Sequence, residues 1–124
     1  MKTSPAKSKK VSKKSIRNRL DQEFSTLIRA RGKCERCGAM DTLQTAHIFS
    51  RRFLRIRWNP INVFCFCCRC HWWGSDNPPL FGDFVKEKLG PEKYQYLLDE
   101  KNNLDKYVWP VKIDQAYINS FKEV

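Results

Sequence analysis

The stretch from Gln44 to His71 concentrates the reactive chemistry of this chain: both histidines, four of the six cysteines and five arginines fall within it. Thiolates and imidazoles bind transition metals, a neutral imidazole exchanges protons near neutral pH, and guanidinium forks match phosphate oxygens in two-point geometry. Together they suit metal-assisted chemistry on a phosphate ester better than a core segment.

Cys34-Glu35-Arg36-Cys37-Gly38 forms one half of a metal site, with two residues between the thiolates and a glycine that lets the backbone turn toward the ion. The next cysteines lie about thirty residues on, a gap that fits a four-cysteine zinc site with a hairpin between its halves. There, Cys65, Cys67, Cys68 and Cys70 contain two overlapping Cys-x-x-Cys registers. Val63, Cys65 and Cys67 alternate with Phe64, Phe66 and Cys68 as in a short strand. Cys65 then lies inside the strand, and Cys67 at its end, where the chain can turn into a helix. Cys67 and Cys70 are therefore assigned to the structural zinc with Cys34 and Cys37, which leaves Cys65 and Cys68 as buried spare thiols. No apolar run approaches a membrane span and no secretory-type apolar core follows the first basic residues, so the chain is expected in the cytosol. Thiols are kept reduced there, which favours zinc over a disulfide framework.

The elements that must position these groups follow from pattern. Residues 43–49 and 62–67 read as two strands joined by a basic loop containing Asn59-Pro60, and Cys70-His71-Trp72-Trp73 opens a helix. This order puts His47 on the first strand and His71 at the helix start, facing one another across a small cleft. Upstream, Ile16, Leu20, Phe24, Leu27 and Ile28 recur at helical spacing behind Ser15 as N-cap, with Gly32 placed to end the helix. Arg29 and Arg31 suit its C-terminal dipole. Downstream, Asn77-Pro78-Pro79 breaks the chain and residues 80–89 form a helix stopped by Gly90-Pro91. A second helix carries Tyr94, Tyr96, Leu97 and Leu98, and residues 114–121 a last one. These helices are expected to cover the back of the finger.

The series Cys34-x-x-Cys37, His47, Asn62, Cys67-x-x-Cys70-His71 resembles the HNH endonuclease family, whose finger is two strands and a helix around a catalytic metal. The agreement of Asn62 and His71 with Cys67 supports the register chosen above. More narrowly, Ala46-His47-Ile48-Phe49-Ser50-Arg51, with Arg57-Trp58-Asn59 and Asn62, is similar to phage recombination nucleases of the lambda NinG (Rap) type, over about Leu27 to Leu98. The resemblance implies a small α+β fold, a ββα-metal finger with a four-cysteine zinc site flanked by an N-terminal helix and C-terminal helices. It implies His47 as the general base, Asn62 as the residue that holds that imidazole or its loop, and His71 as ligand of a catalytic Mg²⁺ or Mn²⁺. Arg51 is implied at the scissile phosphate and Arg57 at a second contact or in bracing the loop. Many HNH proteins place a second metal ligand just before the base, where this chain has Ala46. Asp41 or Asp76 is the alternative donor.

Arg51, Arg52, Arg55 and Arg57 as a set suit a DNA backbone. Trp58, Trp72 and Trp73 are assigned to packing against the zinc site. The formal charge of +11 points to a polyanion, and eight of the 24 basic residues lie in the first 20, ahead of every acidic residue. Three regions follow: a disordered basic tail at 1–14, a zinc-stapled nuclease core at 15–79 and a helical extension packed on it at 80–124. The expected function is metal-dependent hydrolysis of DNA phosphodiesters to 5′-phosphate and 3′-hydroxyl ends, selective for DNA structure rather than sequence. Its setting by resemblance is the cytosol of a phage host, with phage recombination or packaging proteins as partners and no membrane. Ala46 motivates an alternative, an inactive zinc-stabilised nucleic-acid-binding module.

Overall fold

A computed structural model of the protein describes residues 11–122, so the basic tail up to residue 10 lies outside the described residues. Helix α1 (Lys13–Arg29) leads through an irregular segment into an antiparallel hairpin of β1 (Leu43–His47) and β2 (Val63–Cys67). Between the strands lie the short helix α2 (Leu54–Arg57) and a 3-10 turn, Pro60–Asn62. β2 runs directly into α3 (Cys68–Asp76), followed by α4 (Pro78–Asn102) and α5 (Gln115–Asn119). The class is α+β, with one two-stranded sheet among the described residues.

Ser12, rather than Ser15, caps α1: its Oγ accepts from the Ser15 N–H at 3.1 Å, satisfying a donor that has no partner within the helix. The helix therefore starts three residues earlier than expected and takes in Lys13, Lys14 and Ser15. Leu20, Phe24 and Ile28, four residues apart, make its buried stripe. α4 is two helical segments bent at Gly90, whose φ of 78° only glycine adopts readily, and Pro91 starts the second segment.

A hairpin of two strands is marginal alone, and here both of its faces are covered. Val63 and Cys65 point toward α1 and join Leu20, Phe24, Ile28, Trp58 and Ile113 in one buried cluster. Phe64 and Phe66 point the other way, stacked at 5.4 Å, and meet Phe81 and Phe84 of α4 edge-on. The period of two along β2 thus divides the small core into halves. Ile113 and Tyr117, from the C-terminal segment, close the α1 side, where the Tyr117 hydroxyl donates to the Trp58 carbonyl at 2.7 Å.

The two edges of the sheet differ. On β2 the Cys65 N–H donates to the Glu35 carboxylate at 2.6 Å and its carbonyl accepts from the Glu35 N–H at 2.8 Å, while Arg31 donates to the Val63 carbonyl. That edge is sealed. Since Cys65 turns these groups away from β1, its partner Thr45 turns its own toward the opposite edge. Among the described residues that second edge has no strand beside it, and both histidines line a cleft there with Leu43, Gln44 and Thr45.

Candidate metal centre and histidine cleft

Cys34, Cys37, Cys67 and Cys70 bring their sulfurs within 4.8 Å of one another. Four thiolates about 2.3 Å from a tetrahedral zinc would stand about 3.8 Å apart, so little contraction closes the set around an ion. The donor set fits a structural metal ion such as zinc. Its local causes are legible: Gly38 takes a φ of 80°, closing the first knuckle as the Gly38 N–H bonds the Cys34 carbonyl. Cys67 is the N-cap of α3 and Cys70 lies in its first turn, so both thiols face the knuckle.

The spare thiols divide. Cys65 is buried toward α1, as strand alternation requires, whereas Cys68 is exposed, against expectation, because the first residue of α3 points away from the core. Crowding sets the ionisation of the cluster. Burial pushes the Cys34 thiol up, but hydrogen bonds from the backbone amides of Cys67, Cys37 and Arg36 and from the Cys70 thiol bring it down to about 6. Burial pushes Cys70 up to about 12, with its three neighbouring thiols adding to the rise against the Arg36 hydrogen bond. The Cys34 thiolate forms readily and Cys70 resists ionising, which a bound cation would reverse. Arg36 also lies 3.5 Å over the Trp73 ring, so Trp73 does belong beside this centre. Trp58 instead fills the α1 core, and Trp72 is 67 % exposed, so neither packs on the thiols.

His47 and His71 line one cleft at the open edge of β1. His47 Nε2 lies 2.9 Å from the Arg57 carbonyl, an atom that can only accept, so Nε2 carries the proton and Nδ1 keeps its lone pair. Burial, opposed by this hydrogen bond, holds the His47 pKa below its ordinary value. His71 Nδ1 donates to Gln44 Oε1 at 2.6 Å, which leaves Nε2 free to bind. Burial lowers its pKa as well.

Asn62, wholly buried, holds the loop and not the imidazole. Its Oδ1 accepts from the Phe49 N–H and its Nδ2 donates to the carbonyls of Phe49 and Ile56. It thereby ties both ends of the basic loop and sets the Arg57 carbonyl against His47.

The four arginines of that loop serve different ends. Arg57 is only 14 % exposed and grips Asp21 through Nε at 3.0 Å and Nη2 at 2.6 Å, so it braces the loop and has no fork left for DNA. Arg55 bonds the Asp105 carbonyl. Arg51 is 61 % exposed, 3.8 Å from Asp21, and lines the cleft; Arg52 is exposed. Among the described residues no Asp or Glu, Asp41 and Asp76 included, joins the two histidines in a set of three metal-binding groups. Ala46 is buried against Phe64 and Phe66 and offers no donor.

Asp21 was not legible as part of this site, because it sits on a helix 26 residues ahead of His47 in the chain. Besides Arg57 it accepts from Trp58 Nε1 at 2.8 Å. Burial raises its pKa, but those hydrogen bonds and the charges of Arg57 and Arg51 bring it below its usual value. A depressed folded pKa means the stabilisation is complete above the unfolded value and is lost as pH falls through the lower folded one. Asp21→Asn is expected to cost about 2 kcal/mol at neutral pH. Denaturant melts should show the difference beginning to shrink near about pH 4 and vanishing once pH has fallen below the lowered folded value. A constant difference down to pH 2 would remove Asp21 as the brace.

Among the described residues no helix is long and apolar enough to cross a membrane. The fold and site define a small α+β domain with a cluster of four cysteines that could hold a metal ion, beside a histidine-lined cleft. No protein-family model, curated protein or solved structure matches the chain.

Proposed function

We propose that the chain is a zinc-stapled HNH-type endonuclease that hydrolyses DNA phosphodiesters to 5′-phosphate and 3′-hydroxyl ends. The observation that carries the reading is the His47 imidazole, held as the Nε2–H tautomer by the Arg57 carbonyl with Nδ1 open to the cleft. A strand, a strand and a helix that bring this base beside His71 support it, as does the series of matching residues.

In this mechanism His47 Nδ1 takes a proton from the water that attacks phosphorus, while the Arg57 carbonyl, fixed by Asn62, stabilises the imidazolium that forms. Arg51, exposed at the mouth, binds the scissile phosphate. His71 Nε2 is the protein's donor to a divalent ion, and the Gln44 amide fixes the ring by holding Nδ1–H. With Ala46 beside the base, one imidazole would make a weak site for Mg²⁺ or Mn²⁺, filled mainly when DNA supplies phosphate oxygens. When bound, such an ion supplies charge stabilisation at the phosphate and the leaving oxygen. The α+β scaffold serves this chemistry by placing the base on a strand and the ligand on a helix. A setting in phage recombination follows from the resemblance.

The test is cleavage of supercoiled plasmid and of a branched oligonucleotide with Mg²⁺ or Mn²⁺, comparing the wild type with His47→Ala at equal zinc content. Cleavage by the wild type alone supports the nuclease. The buried, donor-free Ala46 favours a second reading, a zinc-stabilised nucleic-acid-binding module. Equal DNA binding by both proteins with no cleavage would establish that one in its place.

A further inference from the structure

A second cavity opens on the other side of the histidines. It encloses about 420 Å³, within the range of small-ligand sites, and His47 and His71 line it as they line the polar cleft. Its walls carry the rings of Phe49, Phe66, Phe81 and Tyr94. Two lysines lie over aromatic rings of its wall. Lys101 Nζ lies 5.7 Å over the Phe49 ring and Lys86 Nζ 5.7 Å over Tyr94. A ligand seated at the histidines therefore meets a basic polar flank on one side and an aromatic chamber on the other.

Gly82 supplies an independent sign. It lies inside α4 without a positive φ, and a Cβ built there meets nothing within 4 Å. Neither backbone nor packing requires a glycine, which is a poor helix former. Gly74 differs, since its Cβ would stand 3.1 Å from Phe81. Gly82 lines the chamber, and its missing side chain leaves that part of the wall bare.

We propose that this chamber receives one unpaired nucleobase of the strand whose phosphate lies at the histidines. The inference rests on the reading of the cleft as a DNA site. Phosphates match Arg51 on the polar flank, and a base offers the flat π face that aromatic walls take up without sequence preference. Bases in a duplex are paired and stacked on their neighbours, so only a nucleotide free of its complement can enter.

The experiment measures equilibrium binding of the zinc-loaded full chain, without Mg²⁺ or Mn²⁺, to three labelled DNAs. These are a perfect duplex, the same duplex with one unpaired nucleotide, and that DNA with an abasic residue at the unpaired position. The wild type is expected to bind the base-bearing DNA about five- to hundredfold more tightly than the abasic one, the gain one stacked base supplies. Gly82→Leu, checked for zinc content and melting temperature, is expected to bind the two equally. Equal affinity for base-bearing and abasic DNA in the wild type, or a gain that survives in a folded Gly82→Leu, overturns the proposal. Because the wild-type comparison stands alone, a misfolded variant does not decide it. Plasmid cleavage without any base-dependent gain would sink the chamber and leave the nuclease standing; a gain without cleavage would do the reverse.

Discussion

Removing zinc from the Cys34, Cys37, Cys67 and Cys70 centre is expected to unfold the protein. Structural zinc sites in small fingers bind with roughly 10–16 kcal/mol of apparent free energy, and the net stability of a whole domain is about 5–15 kcal/mol. Here the ion would clamp the knuckle at residues 34–37 onto the junction of β2 and α3, a link otherwise made by the Glu35 contacts to Cys65 and by Arg36. The two-stranded sheet rests on two small core halves, one of which includes Cys34, Cys67 and Cys70. Chelation, or Cys67→Ser, should abolish the cooperative thermal transition followed by circular dichroism, with loss of bound metal. Cys68→Ser, at an exposed thiol outside the cluster, should keep both. A metal-free protein that melts cooperatively within a few degrees of the loaded one would show that the four thiols are not the staple.

The second large effect is at His47. Loss of a general base costs about 10²- to 10⁴-fold in rate, so His47→Ala should lower kcat by that factor with little change in DNA affinity, which phosphate contacts supply. The pH profile adds a sharper condition. Burial holds the folded pKa of His47 below 6.5, so the neutral, proton-accepting form prevails at neutral pH. Cleavage should rise with pH through that lowered value and be level by about pH 7. In stability the sign is the same: the fold favours the neutral ring, so this contribution is lost as pH falls through the depressed pKa. A wild-type acid limb centred above 6.5, or a His47→Ala enzyme of full activity, would remove His47 from the chemistry.

Much of the centre was readable because spacing carries it. A Cys-x-x-Cys pair can chelate only if the backbone turns at once, and Gly38 marks that turn. The choice of Cys67 over Cys65 follows from the period of two in a strand, which sends Cys65 to the α1 face. Alternation could not show that Cys68 is exposed, because the strand has already become a helix at that residue. The same limit hid the fate of the arginines. Four guanidinium groups within seven residues look alike in a sequence, yet Asp21, reached only through the packing of α1 on the loop, takes Arg57 inward and leaves Arg51 outside.

The C-terminal helices show the boundary most plainly. Their breaks at Pro78 and Gly90-Pro91 were legible, since proline and glycine constrain φ locally. Their role was not. They were expected only behind the finger, whereas Phe81, Gly82, Val85 and Tyr94 form a wall beside His47 and His71. Nothing local in those residues announces a cavity, because a cavity is space left between elements distant in the chain.

What the sequence by itself determined is therefore what short-range geometry dictates: the cysteine knuckles, the hairpin with its two faces and the helix breaks, with the candidate base and ligand implied by resemblance alone. What only the tertiary structure decided is which of several identical groups are free. Burial, pairing with Asp21, the His47 tautomer on the Arg57 carbonyl and the open edge of β1 all arise from contacts between segments far apart in the chain. Those contacts, and not residue type, leave Arg51 and the two imidazoles facing the same space.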